Sequence, residues 1–314
     1  MIPNTAHFVW LGRSMPWIYA LGLRSAALRG GFDRVVLHCS ADLRPPPGWR
    51  GLVDGTGITR RPVDVDATLG LLAPIGGHLV DRYRAAPGPA QRSDILRLAI
   101  VYREGGVYLD TDTLTVRSMA PVLRGGLFAG LERVVYPLAV RRSRGVPTRA
   151  IALTRSLLRN GLRLCPRGYR LFGAVQALYP AAANNAVFGA RPRHPLLGRM
   201  LRCVAHMRTE QQSPYAFGPH LFQRSLNHDA GDDLTLHLPE VFYPLAPEIA
   251  QHWFRFDRWA DPRAAVTPHT RVVHWYASGP SRQLAHRIDA AYVRANAKRQ
   301  LFSALAAPLL DAHR

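Results

Sequence analysis

The stretch from Ser93 to Asp112 restricts the fold more than any other part of the chain. Ile95, Leu96, Ala99, Ile100 and Tyr102 recur at helical spacing, which predicts a helix over 90–103. Pro87 and Pro89 lie near its start and Gly105-Gly106 just past its end, the usual punctuation of a helix. Residues 107–109 then read as a short strand that runs into Asp110-Thr111-Asp112. Asp94 and Arg97, three apart, share one face of the helix. Asp110 and Asp112, two apart on extended chain, point to the same side. The glycine pair stops the helix and lets the backbone approach a ligand closely. Two carboxylates at the end of a strand are hard oxygen ligands of the type that Mg²⁺ or Mn²⁺ takes, completed by water and substrate phosphates. An isolated Asp-x-Asp is common in solvated turns; the helix, the glycines and the strand make this one specific.

The segments around it alternate between strand and helix. Residues 7–11 and 34–39 read as buried strands, separated by a helix over 17–28 that ends at Gly30-Gly31. Pro45-Pro46-Pro47-Gly48 is a loop. This order predicts an α/β fold with a mainly parallel sheet flanked by helices. Further helices are expected at 148–160, 195–208 and 281–306, and strands at 186–188, 241–243 and 271–275. No internal repeat or low-complexity linker divides the chain, so one catalytic-sized domain with insertions is expected.

A hydrophobic fraction of 47% over 314 residues excludes a disordered chain. No apolar run reaches membrane-spanning length, and Met1-Ile2-Pro3-Asn4 does not open like a signal peptide. Cys39, Cys165 and Cys203 are odd in number and lack metal-type spacing, which suits a reducing compartment and a cytoplasmic location.

The formal net charge is +20, from 41 basic and 21 acidic residues. Lys298 is the one lysine, so the excess is arginine, spread from Arg13 to Arg314 with short clusters such as Arg141-Arg142-Ser143-Arg144. A nucleic-acid face would cluster these residues and interleave aromatics, so no nucleic-acid partner is expected. A solvated basic surface is the preferred reading, with attraction to anionic lipid or an acidic partner as the alternative. The last expected helix sets Arg282, Arg287, Arg294, Lys298 and Arg299 against Leu284, Ile288, Ala291, Tyr292 and Leu301. Such a basic amphipathic helix packs on its own domain or lies at an anionic membrane, at its inner face for a cytoplasmic protein.

Ser93-Asp94-x-x-Arg97, Gly105-Gly106-x-Tyr108 and Asp110-x-Asp112 together resemble the signature of glycosyltransferases containing the DXD sugar-binding motif. That is the family 32 type, which includes the yeast-type initiating mannosyltransferases, and the catalytic domains of glucosylating bacterial toxins look similar. The opening Ile2-Pro3 leading to His7-x-x-Trp10 resembles the group's first strand. Asn184-Asn185 followed by His194-Pro195 resembles its middle block, Gly218-Pro219 a Gly-Pro turn, and His274-Trp275-Tyr276-Ala277-Ser278 the closing block. The blocks span residues 2 to about 278. The closing block departs from the pattern, since the group commonly ends in Ser-Trp and Ser278 is followed here by Gly279-Pro280.

The resemblance implies a GT-A-like, Rossmann-like catalytic domain over residues 1–280, with residues 281–314 as a C-terminal basic amphipathic helix packed on it. It implies that Asp112 binds Mn²⁺ or Mg²⁺, with Asp110 assisting both metal and ribose. Asp94 and Arg97 would hold sugar hydroxyls and ribose, Arg97 also countering the diphosphate charge. Ser93 and Tyr108 would lie on the nucleotide side, Trp10 would stack on the base, and Asn185 would lie near the donor sugar. His274 would be a third metal ligand or a phosphate contact, with Trp275 and Ser278 beside it. The implied activity moves a sugar from a nucleotide-sugar donor, UDP-sugar preferred, to a glycan, lipid-linked, small-molecule or protein acceptor, as in polysaccharide biosynthesis. Retention of configuration is implied, with the leaving phosphate taking the acceptor's proton. An inverting enzyme would need a base, for which Glu210, Asp229, Asp232 and Asp233 are candidates that nothing selects. The reading from another class is a non-enzymatic basic binder of anionic membrane or nucleic acid.

Overall fold

The computed structural model describes residues 1–136, 140, 143–207, 216–228, 233–277 and 280–311. Its main sheet comprises β1 (Thr5–Trp10), β2 (Arg34–Cys39), β3 (Ile58–Pro62), β4 (Gly106–Leu109), β6 (Leu127–Arg133), β7 (Ala181–Ala190) and β8 (Leu234–His237). The order is β3-β2-β1-β4-β7-β6-β8. The first four strands run parallel, β7 is antiparallel to both β4 and β6, and β8 is parallel to β6. A second, two-stranded sheet pairs β5 (Thr113–Thr115) with β9 (Val272–His274). The mainly parallel, helix-flanked sheet expected from the sequence is therefore what the chain forms.

Apolar residues fill both faces of the sheet, as buried parallel strands require. Phe8, Val107 and Leu109 point into one cluster, whereas Val9 and Tyr108, one residue along, point into the other. The first cluster is covered by α1 (Trp17–Arg29) and the second by the long α5 (Pro89–Glu104). Between them lie the shorter α2 (Trp49–Val53), α3 (Val65–Gly70) and α4 (Leu79–Ala85). Proline opens α5 and Gly105, at φ 70°, closes it. Gly106 follows at φ 96°, where a Cβ would stand 2.6 Å from the Thr5 carbonyl oxygen. The two glycines thus let the chain turn from helix into β4 directly beside β1.

Two expected elements come out differently. Residues 241–243 are not a strand: Pro239 opens a short helix, Pro239–Phe242, which buries Phe242 and Tyr243 against β6. Gly130 permits that contact, since a Cβ there would meet both rings at 2.6 Å. The continuous helix over 281–306 is instead three short ones, Pro280–Ala285, Ala290–Asn296 and Leu301–Leu310. Asp289 starts the second by accepting from the Tyr292 N–H, and buried Gln300 precedes the third. The last is apolar rather than basic, with Leu301, Phe302 and Leu309 in the same core as Phe8.

Candidate functional site

In an open parallel sheet, ligands bind outside the carboxyl ends of the strands, where the strand order reverses. Here the chain runs outward from β1 to β2 to β3 and then returns to β4 on the other side of β1. Trp10 ends β1, and Asp110 directly follows β4, so the two stand across that reversal. The Asp110-Thr111-Asp112 turn is clamped from behind by α1. A Cβ on Gly22 would lie 2.7 Å from the carbonyl oxygens of Thr111 and Thr113. The small sheet then delivers a histidine from far along the sequence: Thr113 pairs with His274.

Arg97 is the hub. Its guanidinium lies 3.0 Å from Asp110 Oδ1 and 3.5 Å from Asp94 Oδ1, and it donates to the Asn185 carbonyl at 3.0 Å. It also donates to Ser93 Oγ at 3.3 Å and sits 4.4 Å from the centroid of the Tyr108 ring. Tyr108 donates its hydroxyl to Asp110 Oδ1 at 2.6 Å, and Asn185 donates its side-chain amide to Asp94 Oδ1 at 2.7 Å. Asp112 Oδ1 lies 3.1 Å from His274 Nε2, while Asp112 Oδ2 accepts from the Ala277 N–H at 2.7 Å. Asp110, Asp112 and His274 each offer a ligand atom, all within 4.8 Å of one another. His274 Nδ1 is buried with no hydrogen-bond partner, leaving the ring one uncommitted nitrogen. Two carboxylates and an imidazole are a donor set that fits a divalent cation, and the residues present suit the metal implied by the sequence.

Burial and charge set the protonation of these groups. Burial raises the Asp94 carboxyl to about 6, against the pull of Arg97 and the Asn185 amide. It raises Asp110 too, opposed chiefly by Arg97. For Asp112, burial is outweighed by the His274 charge and hydrogen bond, so its carboxyl falls below the usual range. His274 is disfavoured as a cation by burial, but Asp112 and Asp110 more than offset this and raise it. Arg97 is likewise penalised by burial and held charged by Asp110, Tyr108 and Asp94.

These side chains open onto a cleft of about 610 Å³ lined by Asp94, Arg97, Asp110, Asp112, Asn185 and His274. Of the residues singled out in the sequence, Ser93 and Tyr108 stand behind this wall and reach it through Arg97 and Asp110. Tyr108 has no exposed surface, so it positions Asp110 rather than forming a wall of the cleft. Trp275 is also fully buried, among Tyr19, Phe254 and Phe302, and only its backbone N–H touches the site, at the Asp112 carbonyl. Trp10 is half-buried, 4.8 Å from the Tyr19 ring, and is not part of the cleft wall. Ser278 lies outside the described residues, as do Glu210, Asp229 and Asp232. Asp233 pairs with His194 and Arg191, away from the cleft.

Sequence reasoning missed Glu132 and Tyr276, both of which line the cleft. Glu132 is buried, accepts from the Tyr276 hydroxyl at 2.9 Å, and is raised above the usual carboxylate range by that burial. Tyr276 is held at φ 52°, a left-handed conformation unusual for an aromatic residue, with its ring centroid 3.9 Å from that of His274. A signal for Glu132 existed: the apolar run Leu127–Leu131 ends in a carboxylate, as Val107–Leu109 ends in Asp110.

Residues 65–128 match the glycosyltransferase sugar-binding region containing the DXD motif, a segment that ends beyond both aspartates of the cluster. Among solved structures, the chain is similar to the PaToxG glycosyltransferase at 15% identity and TM-score 0.46, over 72% of this chain and 69% of that one. It is similar to mouse xyloside xylosyltransferase 1 at 12% identity and TM-score 0.42, over 86% and 97% of the two chains. The UDP-bound glycosyltransferase domain of the YGT toxin aligns at 11% identity and TM-score 0.39, over 75% and 79%. Comparison with curated protein sequences finds no match.

Proposed function

We propose that the chain is a glycosyltransferase, as the match of residues 65–128 to the DXD-containing sugar-binding region supports, and that it transfers a sugar, with metal assistance, from a nucleotide-sugar donor bound at the β1/β4 reversal. The observation that carries this reading is the Asp110–Asp112–His274 cluster with Arg97 beside it at the carboxyl end of β4. The donor base is uridine by preference, laid against Trp10 at the end of β1, where an indole face offers a flat platform. A divalent ion, Mn²⁺ or Mg²⁺ held by Asp110, Asp112 and His274, supplies charge neutralisation for the departing diphosphate.

The chain's own residues do the positioning. Asp94 accepts from donor sugar hydroxyls while the Asn185 amide fixes its orientation. Arg97, pinned by Asp94, Asp110 and the Asn185 carbonyl, presents a preset positive charge toward the diphosphate, which costs no reorganisation during the reaction. Tyr108 keeps Asp110 aimed. Glu132, steadied by Tyr276, accepts from a hydroxyl of the acceptor. The acceptor oxygen bonds to the anomeric carbon on the face that the diphosphate vacates as the sugar–phosphate bond breaks, and the leaving phosphate oxygen takes the hydroxyl proton, so the configuration at the sugar is retained.

A panel of nucleotide sugars assayed for released nucleoside diphosphate, with and without Mn²⁺, tests this reading. Metal-dependent turnover of one donor, reduced at least about 100-fold in Asp112→Ala, is expected. Turnover of no donor, or equal turnover in the variant, would overturn it. NMR of the product's anomeric centre decides the stereochemistry: inversion, with loss of transfer in Glu132→Gln, would make Glu132 a general base instead.

A further inference from the structure

The helix Val146–Leu164 is built inside out. Val146, Ala150, Leu153, Leu157, Gly161 and Leu164 recur at the i, i+4, i+7 and i+11 spacing of one helix face. A globular protein normally turns such a face inward. Here Val146, Leu153, Leu157 and Leu164 are 78%, 58%, 62% and 66% exposed. The face turned inward carries Ala152, Ser156 and Leu162, flanked by half-buried Arg155 and Arg159. The next two helical segments, Gly168–Val175 and Gln176–Leu178, add exposed Leu171 and Leu178. Scattered single leucines on a surface need no explanation, but a periodic apolar stripe along a helix marks a contact.

Charge indicates the occupant. From residue 133 to residue 209 the chain has fifteen arginines and no acidic residue. Exposed Arg144, Arg149 and Arg163 lie on or just before the same helix. Arg167 and Arg170, beside the second segment, pair with Asp257 and Asp261, but the Val146–Leu164 helix itself carries no carboxylate. An apolar stripe bordered by its arginines is complementary to a negatively charged, hydrocarbon-backed surface, the combination that interfacial helices use. No helix of the described residues is long and apolar enough to cross a membrane, so any such contact lies in the plane of the interface. The terminal segment fits this task less well, because the apolar side of Leu301–Leu310 is packed in the core.

We propose that the Val146–Leu164 helix docks the protein onto an anionic lipid bilayer, its leucine stripe entering the headgroup–acyl boundary. The same helix contributes Arg159 to the cleft wall, so docking holds the cleft beside the membrane surface. This inference does not depend on the glycosyl-transfer reading.

The test is co-sedimentation of the full chain with vesicles of phosphatidylcholine alone and of phosphatidylcholine containing phosphatidylserine, at moderate salt. Wild type is expected to pellet with the anionic vesicles, and Leu153→Gln/Leu157→Gln to partition at least about tenfold less. Arg294→Gln/Lys298→Gln, in the terminal segment, is expected to bind like wild type. Both substituted leucines are exposed, so an unchanged melting temperature shows that the variant is folded, and unchanged donor hydrolysis in solution separates docking from catalysis. Equal pelleting of wild type and the leucine variant would leave the +20 charge as a sufficient cause and overturn the proposal. It would also be overturned if the leucine variant turned a wild-type dimer into a monomer with vesicle binding unchanged, since the stripe would then be a self-association face.

Discussion

The two long helices Pro89–Glu104 and Val146–Leu164 follow opposite rules. The first carries its apolar residues inward on both sides and also buries an aspartate and an arginine, Asp94 and Arg97. The second leaves its apolar stripe in solvent and turns Ala152, Ser156 and a single leucine, Leu162, toward the protein. Burying a charge is costly unless it is paired and hydrogen-bonded, and every buried charge of α5 has such partners. Leaving leucines in water costs the folded state little relative to the unfolded chain, because they are exposed in both. Deep burial of paired charge therefore marks where chemistry is arranged, and periodic exposure of apolar surface marks where contact is made.

The largest expected effect comes from breaking the first rule. Arg97→Met strands Asp94 and Asp110 as buried, unpaired carboxylates, which should cost about 3–5 kcal/mol in urea unfolding together with nearly all donor turnover. Arg97→Lys should recover part of the stability but little turnover, since an ammonium cannot reproduce the fork that reaches Asp110, Ser93 and Asn185 at once. Arg155→Met on the second helix should change neither. An Arg97→Met protein as stable as wild type would dissolve the contrast between the helices.

A neutral counterpart of that network lies where α5 ends. His7 and His38 share a hydrogen bond of 3.0 Å, and the other His7 nitrogen meets the Gly105 carbonyl at 3.0 Å. Burial lowers His7 to about 4 and His38 to about 3, so both are neutral in the folded protein. Below about 6.5 the unfolded chain takes up protons that the folded one refuses. The stability this pair contributes is thus fully present above about 6.5 and is lost as pH falls through the folded values. Melting temperatures followed from pH 7 to pH 4 should drop, and more shallowly in His38→Gln. An identical slope in the variant would remove the histidines as the cause.

The strands and helices around 93–112 are readable in the sequence because each signal there is local: proline start, glycine stop, apolar spacing, carboxylates two apart. The parts of the site that were not readable depend on pairing across the chain. His274 could be named from the family resemblance alone, since it becomes a neighbour of Asp112 only through the β5/β9 register. Glu132, which the sequence reading missed, enters the cleft only when β6 pairs with β7 and Tyr276 folds back to it. Tyr108 and Trp275 carry the right residue types for a nucleotide wall, yet strand alternation turns Tyr108 into the core, and Trp275, just past β9, packs there among Tyr19, Phe254 and Phe302. Tertiary packing likewise overrides the strand-like Val-Phe-Tyr run at 241–243, because Gly130 leaves room for its rings in a helical turn.

Gly218 offers a finer probe of the first rule. A Cβ at this position would stand 2.9 Å from Asp94 Oδ2 and 3.0 Å from Asn185 Nδ2. Gly218→Ala should therefore pry at the Asp94–Asn185 bond, costing about 1–2 kcal/mol and raising KM for the donor more than it lowers kcat. Equal losses in stability with unchanged KM would place Gly218 outside the donor pocket.

The smallest effect belongs to the second helix, and its smallness is the point. Leu157→Gln removes one leucine from a face that is already solvated, so urea unfolding should move by no more than about 0.5 kcal/mol. The equivalent polar substitution on α5, Leu98→Gln, places an amide in a core where Leu98 is buried and should cost several times as much. If Leu157→Gln proved as destabilising as Leu98→Gln, the stripe would be covered by the protein itself in solution. A neutral Leu157→Gln would show the stripe solvated in the free protein, as a face that meets a surface outside this chain must be.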